Sequence, residues 1–291
     1  LVRHILPMHP RKVVVFSRGE HRQEQMEQSI GPHPRLRYYI GDVRDQQRLD
    51  MAMRGIDYVF HAAALKIVPR CEIDPIEAVR TNIIGAENVI RSALKSGVKK
   101  VMALSTDKAC SPVNLYGATK LAAEKLFMAA HNLRGQDPTL FSVCRYGNVF
   151  ASQGSVVPLF QRLAAQGKPL PITDMAMTRF IITMPQAVEF VLKAMASMGG
   201  SEIFIPRIPS AYVTHIADAI DPDLPRVVVG IRPGEKLHET LITEDEAYHA
   251  MIRDYGWVIH NKFESDILDR WSYNSRDNTE WLTIQDLREM L

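Results

Sequence analysis

The sequence predicts an α/β protein with a doubly wound parallel sheet and a second, smaller α+β lobe. In the first half of the chain, short β-branched and apolar runs alternate with longer helical patterns, which is typical of parallel β-α units. The alternation becomes less regular after a strand predicted at 141–145, so we place the boundary between the two parts at residues 147 and 148. A long helix predicted at 185–195 can return to the sheet, and we therefore expect the parts to be interleaved.

The composition narrows the class of protein. Of the 291 residues, 46% are hydrophobic and 23% charged, which is ordinary for a soluble globular chain. A formal net charge of +2 gives no basic field of the kind that binds nucleic acid or an anionic membrane, so we expect a small-molecule ligand. No apolar run approaches the roughly 18 residues of a membrane span, and no signal-peptide pattern opens the chain.

Three cysteines, Cys71, Cys110 and Cys144, are far apart in the sequence, and their spacing matches no metal site. They indicate buried thiols in a reducing compartment rather than disulfides. We expect a cytoplasmic protein without a bound metal.

The chain opens without the element on which a nucleotide-binding sheet begins. Residues 1–6 have a helical pattern closed by Pro7 and Pro10, and a β-branched strand follows at 12–16. A doubly wound nucleotide fold begins with a strand and a glycine-rich turn that binds the pyrophosphate, yet no G-x-x-G-x-x-G pattern occurs in the sequence. The simplest interpretation is a lost first strand and turn, in which case this chain would bind nucleotide poorly and lack activity.

Polar residues follow the carboxyl ends of the first two strands, where ligands collect in open α/β sheets. Ser17 and Arg18 follow the first strand, and Asp42 and Val43 follow the second, predicted at 36–40. An arginine here suits the 2′-phosphate of NADP, whereas an acidic residue suits the ribose of NAD. Arg18 therefore favours NADP over NAD, unless it is an ordinary solvated arginine. Asp42 is alternatively a turn residue or a helix cap.

The third strand end carries small residues, and a long helix follows. Ala62, Ala63 and Ala64 allow the backbone to approach a ligand or, alternatively, pack tightly against a helix. We interpret the lone His61 beside them as structural. The helix predicted at 74–96 carries Asn82.

The central strand, predicted at 101–104, leads directly into Thr106, Asp107 and Lys108. A carboxyl and an amine side by side at this edge of the sheet can serve as an acid and a base. Alternatively, Asp107 caps a helix and Lys108 is exposed to solvent.

Tyr116 and Lys120 are four residues apart at the start of the next predicted helix, so both side chains project from one face. An ammonium beside a phenol favours the phenolate and lowers the phenol's pKa. We therefore expect Tyr116 to act as a base toward a sugar or alcohol hydroxyl.

In the second half, Tyr146 and Asn148 follow the strand at 141–145. An arginine also occurs in each of two later segments, 177–180 and 232–239. Arg179 and Arg232 can hold a diphosphate with forked, charge-assisted hydrogen bonds, and Glu235 can accept hydrogen bonds from ribose hydroxyls. Alternatively, each arginine is an ordinary solvated surface residue.

The string S-T-D-K-A-C-S-P-V-N-L-Y-G-A-T-K at 105–120 closely resembles the inverting UDP-N-acetylglucosamine 4,6-dehydratases that open pseudaminic acid synthesis. These enzymes belong to the extended branch of the short-chain dehydrogenase/reductase superfamily. The resemblance implies a Rossmann-type dinucleotide-binding domain at 1–147, a substrate-binding lobe at 148–291, NADP as cofactor, a UDP-sugar as substrate and a homo-oligomer such as a hexamer.

The same resemblance implies roles for individual residues. The implied catalytic residues are Thr106, Asp107, Lys108, Tyr116 and Lys120. The implied cofactor-binding residues are Ser17, Arg18, Asp42, Val43, Ala62, Ala63, Ala64, Lys66, Asn82, Tyr116, Lys120 and Tyr146. The implied substrate-binding residues are Lys66, Asn148, Pro171, Thr173, Met177, Arg179, Arg232 and Glu235.

The implied reaction uses the cofactor without consuming it. Tyr116 takes the C4 hydroxyl proton while hydride leaves C4. Lys108 removes the C5 proton if a partly desolvated pocket and a nearby cation keep its amine neutral, and Asp107 helps to expel the C6 hydroxyl as water. Reprotonation of C5 from the opposite face inverts that centre. Retaining dehydratases have Asp-Glu where this chain has Asp-Lys, and simple 4-epimerases have no such pair.

Two other functions remain open from the sequence. One is a UDP-sugar 4-epimerase or another UDP-sugar dehydratase. The other is a non-catalytic nucleotide-binding module, which the missing glycine-rich turn keeps under consideration.

Overall fold

A computed structural model describes residues 1–260, 262 and 270–291. The helices are α1 Val2–Ile5, α2 Glu20–Ile30, α3 Gln46–Ala52, α4 Val68–Ile73, α5 Pro75–Val79, α6 Gly85–Ser96, α7 Leu115–Leu133, α8 Val156–Ala164, α9 Met184–Ser197, α10 Val213–Ile220, α11 Glu244–Ala247 and α12 Ile284–Glu289. The strands are β1 Val13–Ser17, β2 Leu36–Ile40, β3 Tyr58–His61, β4 Lys100–Leu104, β5 Leu140–Cys144, β6 Asn148–Val149, β7 Leu170–Ile172, β8 Thr178–Ile182, β9 Ile203–Pro206, β10 Ser210–Tyr212, β11 Arg226–Val228, β12 Thr240–Ile242, β13 Ala250–Arg253, β14 Gly256–Ile259 and β15 Tyr273–Asn274.

The main sheet has six strands in the order β13-β14-β9-β5-β4-β3. Its β3, β4, β5 and β9 are parallel, while β14 and β13 continue it in antiparallel pairing. β1 and β2 form a separate parallel pair. The predicted α/β fold with a parallel sheet is therefore confirmed.

Helices cover both faces of this sheet, as a doubly wound arrangement requires. Val101 and Ala103 of β4 pack in one apolar cluster with Phe127 of α7, whereas Met102 packs in another with Phe190 of α9. Successive strand residues point to opposite faces, so the two clusters lie on opposite sides. The near-continuous apolar sequence of β4 reflects burial from both sides.

The second half of the chain both returns to the sheet and forms its own small layers. Strands β9, β14 and β13 extend the main sheet, whereas β6, β8 and β10 form a separate three-stranded one. Phe160 of α8, Ile172 of β7 and Ile216 of α10 pack together in a further apolar cluster. The division at 147 and 148 stays a prediction. No helix in the described ranges is long and apolar enough to cross a bilayer.

A buried guanidinium joins the two halves of the chain. Arg145, which directly follows β5, is fully buried and donates through Nε and Nη2 to both oxygens of Glu124 on α7, at 3.1 and 2.7 Å. It also donates to both oxygens of Glu246 on α11, each at 2.8 Å, and to the Leu241 carbonyl on β12 at 2.9 Å. The guanidinium therefore fixes α7 and the β12–α11 segment at the end of β5.

We predict that Glu124→Ala lowers the free energy of unfolding by at least about 3 kcal/mol, because it leaves a buried charge half-paired. Urea denaturation measures this loss. Glu189→Ala, which breaks only the solvent-exposed pair with Lys193, should leave the denaturation midpoint nearly unchanged. Similar losses in the two variants would contradict the role assigned to Arg145.

Candidate active site

The turn after β4 holds the predicted acid/base pair in a defined geometry. Asp107–Ala109 forms a single 3₁₀ turn whose N-cap is Thr106. The Thr106 hydroxyl donates to Asp107 Oδ1 at 2.9 Å, and the Asp107 N–H donates to the Tyr146 carbonyl at 3.1 Å. The turn is thereby tied to the carboxyl end of the neighbouring strand β5.

Gly117 allows α7 to begin against this turn. A β-carbon at this residue would lie 2.1 Å from the Lys108 carbonyl oxygen, so any larger residue would displace the turn. Asn114 caps the helix by accepting from the Gly117 N–H at 2.7 Å. This close approach brings Tyr116 next to Thr106 and Lys108.

Lys108 lies between two carboxylates. Its Nζ is 3.0 Å from Asp107 Oδ1 and 3.1 Å from Glu239 Oε1. Burial alone would lower the pKa of Lys108, but Asp107 and Glu239 outweigh burial and the nearby Arg179 and raise it above its usual value. The sequence-based condition that a nearby cation keeps this amine neutral is therefore wrong for the ligand-free site, where Lys108 is an ammonium.

Tyr116 and Lys120 are both buried, and they do not form the predicted pair. Lys120 Nζ donates to the Leu104 carbonyl at 2.7 Å, and burial lowers the pKa of this lysine to about 8. Burial also raises the pKa of Tyr116 to about 12, and it is Lys108 and Thr106 that act in the opposite direction. The predicted lowering of the Tyr116 pKa by Lys120 is wrong here, because the cost of burying a phenolate exceeds the help of nearby cations.

His61 lies fully buried against Phe127, with ring centroids 5.6 Å apart. Burial, with Lys120 as the second cause, lowers its pKa to about 3. The ring is neutral at ordinary pH, which fits the structural role predicted for it.

A cavity of about 520 Å³ opens beside Lys108. Seven of the eight residues with a predicted substrate role line it, namely Asn148, Pro171, Thr173, Met177, Arg179, Arg232 and Glu235. The eighth, Lys66, is exposed and donates to the Gln153 carbonyl at 3.2 Å. Asn148 Oδ1 is buried and accepts no hydrogen bond in the described part of the chain, so it is available to a donor on a ligand.

The two predicted diphosphate arginines differ. Nη1 and Nη2 of Arg179 donate to the backbone carbonyls of residues 178, 237 and 236, at 2.7, 3.1 and 3.0 Å. Three of the five N–H donors of Arg179 therefore bind backbone, which leaves fewer of them for the forked grip on a diphosphate that stays a prediction. Arg232 is exposed, and its guanidinium bonds to no other side chain in the described ranges.

The predicted adenosine end lies at the carboxyl ends of β1 and β2. Arg18 is 47% exposed and 3.6 Å from Asp42 Oδ2, which also receives hydrogen bonds from Arg44. Burial opposes the charge on Asp42, but hydrogen bonds from Arg44 outweigh it and lower the carboxyl pKa. The Ser17 hydroxyl accepts from Gln23 at 2.9 Å. An exposed cation is therefore available here for an anionic ligand.

The remaining predicted cofactor residues surround the loop after β3. Asn82 accepts from the Leu65 N–H at 2.8 Å and donates to the Leu65 carbonyl at 3.0 Å and to Thr119 at 2.9 Å. Its side chain therefore orients the loop that carries Ala62, Ala63 and Ala64. Val43 is buried near this region, and Tyr146 is half-buried.

Sequence reasoning missed Glu239, a buried residue that contacts Lys108. The signal was available, because Glu239 closes the segment 232–239 that already contained two predicted substrate residues. The sequence carried no signal for its contact with Lys108, because the two residues lie on different elements.

Comparisons with known proteins show the family of this chain. A family model described as "Polysaccharide biosynthesis protein" matches residues 1–259. The chain is 48% identical over 300 residues to the UDP-N-acetylglucosamine 4,6-dehydratase (inverting) of Campylobacter jejuni strain 81-176, with 97% of this chain and 90% of that protein covered. It is 44% identical over 299 residues to the UDP-glucose 4-epimerase of Rickettsia conorii, with 97% and 86% covered.

Solved structures support the same fold. The X-ray structure of Pen from Bacillus thuringiensis matches with a TM-score of 0.93 at 36% identity, covering 99% of this chain and 91% of that one. DesIV, a dTDP-glucose 4,6-dehydratase from Streptomyces venezuelae with NAD and TYD bound, matches with a TM-score of 0.72 at 23% identity, covering 81% and 82%. The predicted Rossmann-type fold is confirmed.

We predict that Lys120→Met has a higher free energy of unfolding than the parent, and that this difference is largest below pH 8. The fold disfavours the charged amine, so the unfolded chain binds more protons between about pH 8 and the ordinary lysine value of 10.5. The parent therefore gains stability as pH rises through this window, and the advantage of the variant falls by about 1 kcal/mol per pH unit. Urea denaturation of both proteins across the window measures the trend, and a pH-independent difference would contradict it.

Proposed function

Because the chain belongs to the polysaccharide biosynthesis protein family, we propose that it is a UDP-N-acetylglucosamine 4,6-dehydratase that inverts C5 of the sugar. The observation that carries the proposal is the ion pair of Asp107 and Lys108, of which Lys108 lines the cavity, with Tyr116 beside Lys108. Dehydration needs a base for C5 and an acid for the C6 oxygen in addition to the base for the C4 hydroxyl. The name of the Campylobacter relative supports the same assignment.

We propose NADP as the cofactor. The described residues suit its two ends. For one end, Arg18 is exposed at the carboxyl end of β1. For the other, the Ser105 hydroxyl lies with Tyr116 beyond β4, where it is buried and has no hydrogen-bond partner among the described residues. NADP, when bound, would accept a hydride from C4 of the sugar and return it at C6. The choice of NADP over NAD rests on the charge of Arg18.

Tyr116 Oη takes the proton of the C4 hydroxyl during oxidation, and it does so as the phenolate, after its own phenolic proton has passed to solvent. Burial raises the pKa of Tyr116 to about 12 and so opposes phenolate formation, whereas the neighbouring Lys108 and Thr106 favour it. The ketone at C4 then acidifies the C5 hydrogen. Lys108 Nζ removes that proton, and Asp107 protonates the C6 oxygen as it leaves as water.

Lys108 and Asp107 must exchange a proton before they can act in these roles. In the ligand-free site Lys108 is an ammonium and therefore cannot act as a base. Transfer of one proton from Nζ to Asp107 Oδ1, across 3.0 Å, gives a neutral amine and a carboxylic acid together. The pair then holds both groups in the state that elimination needs.

The cavity supplies the binding residues for a UDP-sugar. Arg232 is an exposed cation for the diphosphate, Glu235 lies beside it for the ribose, and Asn148 Oδ1 accepts from the sugar. We propose that the product enters pseudaminic acid synthesis. We also propose a cytoplasmic homo-oligomer, which is supported by the buried free cysteines and by exposed apolar side chains such as Ile73 on α4 and Ile76 on α5.

The 44% identity to a UDP-glucose 4-epimerase favours 4-epimerisation as the second candidate. Epimerisation oxidises and reduces C4 alone, so it gives Asp107 and Lys108 no role at C5 and C6. Isotope incorporation at C5 separates the two reactions.

We predict that turnover of UDP-N-acetylglucosamine in deuterated water places deuterium at C5 of a 4-keto-6-deoxy sugar. Lys108→Ala should lower the rate by about 10²-fold or more, because it removes the C5 base. Mass spectrometry and NMR of the product measure both results. Lys99→Ala, an exposed lysine just before the amino end of β4, is the control, and undiminished product from Lys108→Ala would overturn the assignment.

We predict that Arg18→Asp raises the Kd for NADP relative to NAD by about tenfold or more, since it replaces the 2′-phosphate partner by a repelling charge. Isothermal titration with each dinucleotide measures the ratio. Arg22→Asp makes the same charge change on the exposed side of α2 and should leave the ratio unchanged. An unaltered ratio in Arg18→Asp would remove the argument for NADP.

A further inference from the structure

Glu239 is a buried carboxylate at the cavity wall, just before β12, and the proposed reaction gives it no role so far. Only 2% of its surface is exposed. Its Oε1 accepts the Lys108 ammonium at 3.1 Å, and its Oε2 is buried and accepts no hydrogen bond from any described residue. A buried carboxylate with one unpartnered oxygen is unfavourable unless it has a function or a ligand.

The two carboxylates that face Lys108 have different surroundings. Glu239 has two further cationic neighbours, with Arg179 Nε at 3.8 Å and Lys236 Nζ at 4.0 Å. Asp107 accepts hydrogen bonds from Thr106 and Lys108, and its Oδ2 has no partner among the described residues. Glu239 therefore lies among more cations than Asp107 does. Additional cations stabilise the charged form of a carboxylate.

We propose that Glu239 is a positioning residue that holds Lys108 Nζ at the cavity wall and, by remaining a carboxylate, directs the lysine's proton to Asp107. The proton passes from Nζ to Asp107 Oδ1, and the electron pair stays on nitrogen as the base for C5. This inference rests on the proposed dehydratase function and extends it to one more residue.

Charged and titratable groups from several elements face Lys108. They are Asp107 on its own turn, Tyr116 on α7, Arg179 on β8, and Glu239 with its neighbour Lys236 on the segment before β12. Glu239→Gln keeps the shape of the side chain and removes one negative charge from this set. Lys108 then loses its proton at lower pH, because one of the two carboxylates that stabilise its ammonium has become neutral.

The first measurement needs no catalysis. Competitive acetylation of the full chain by acetic anhydride, followed by peptide mass spectrometry, reports the pH at which Lys108 becomes reactive relative to the exposed Lys168. We expect that pH to fall by about one unit or more in Glu239→Gln. Glu239→Asp keeps the charge and should stay near the parent, as should Glu244→Gln, which removes an exposed charge on α11.

The second measurement is the pH profile of deuterium incorporation at C5 from UDP-N-acetylglucosamine. Its falling limb, where the proton shared by Lys108 and Asp107 is lost to solvent, should move to lower pH in Glu239→Gln, whereas Glu239→Asp should keep the parent's limb with a lower rate. A change of profile separates positioning from a merely structural role, which would lower the rate without moving the limb.

The outcomes are distinct. The inference is overturned if the acetylation profile of Glu239→Gln coincides with that of the parent. Where the parent is active, it is also overturned if Glu239→Gln shifts the acetylation profile but leaves the limb of the C5 deuterium profile unmoved. A parent that places no deuterium at C5 refutes the proposed dehydration, and with it the catalytic part of this inference. Acetylation then still decides whether Glu239 controls Lys108. If Glu239→Gln does not fold, Glu239→Asp is compared with the parent instead. A limb of its C5 deuterium profile that is displaced from the parent's then overturns the inference.

Discussion

The buried guanidinium of Arg145 is the interaction on which the rest of the site depends. It joins the end of β5 to Glu124 on α7 and to Glu246 on α11 through paired hydrogen bonds. Burying three charges is unfavourable unless every donor finds an acceptor, and here the Leu241 carbonyl also receives one. Such a cluster tolerates little displacement, so it fixes the positions of the elements that carry the chemistry.

Those elements meet at the carboxyl end of β4. α7 supplies Tyr116 and Lys120, the turn after β4 supplies Asp107 and Lys108, and the segment that leads into β12 supplies Glu239. The ion pair with Glu239 connects to the structural cluster through the short strand β12, whose Leu241 carbonyl accepts from Arg145. The buried cluster around Arg145 therefore supports the neighbouring ion pair of Lys108 and Glu239, which lines the cavity.

Lys108 and Tyr116 are held in protonation states opposite to those that the proposed reaction uses. Lys108 is held as an ammonium, and Tyr116 as a neutral phenol with a pKa of about 12. The two states have opposite causes: at Lys108 the facing carboxylates outweigh burial, whereas at Tyr116 burial outweighs the facing Lys108.

The parallel α/β fold, the ends of the central strands and the residues that follow them could be predicted from the amino-acid sequence, because they depend on local hydrophobic patterns and on helix spacing. Seven of the residues that line the cavity were also predicted. The direction of the Tyr116 pKa shift, the hydrogen bonds from Arg179 to backbone carbonyls and the contact between Lys108 and Glu239 could not be predicted. These depend on the folded arrangement, because segments far apart along the chain set the burial and the charged neighbours of each group.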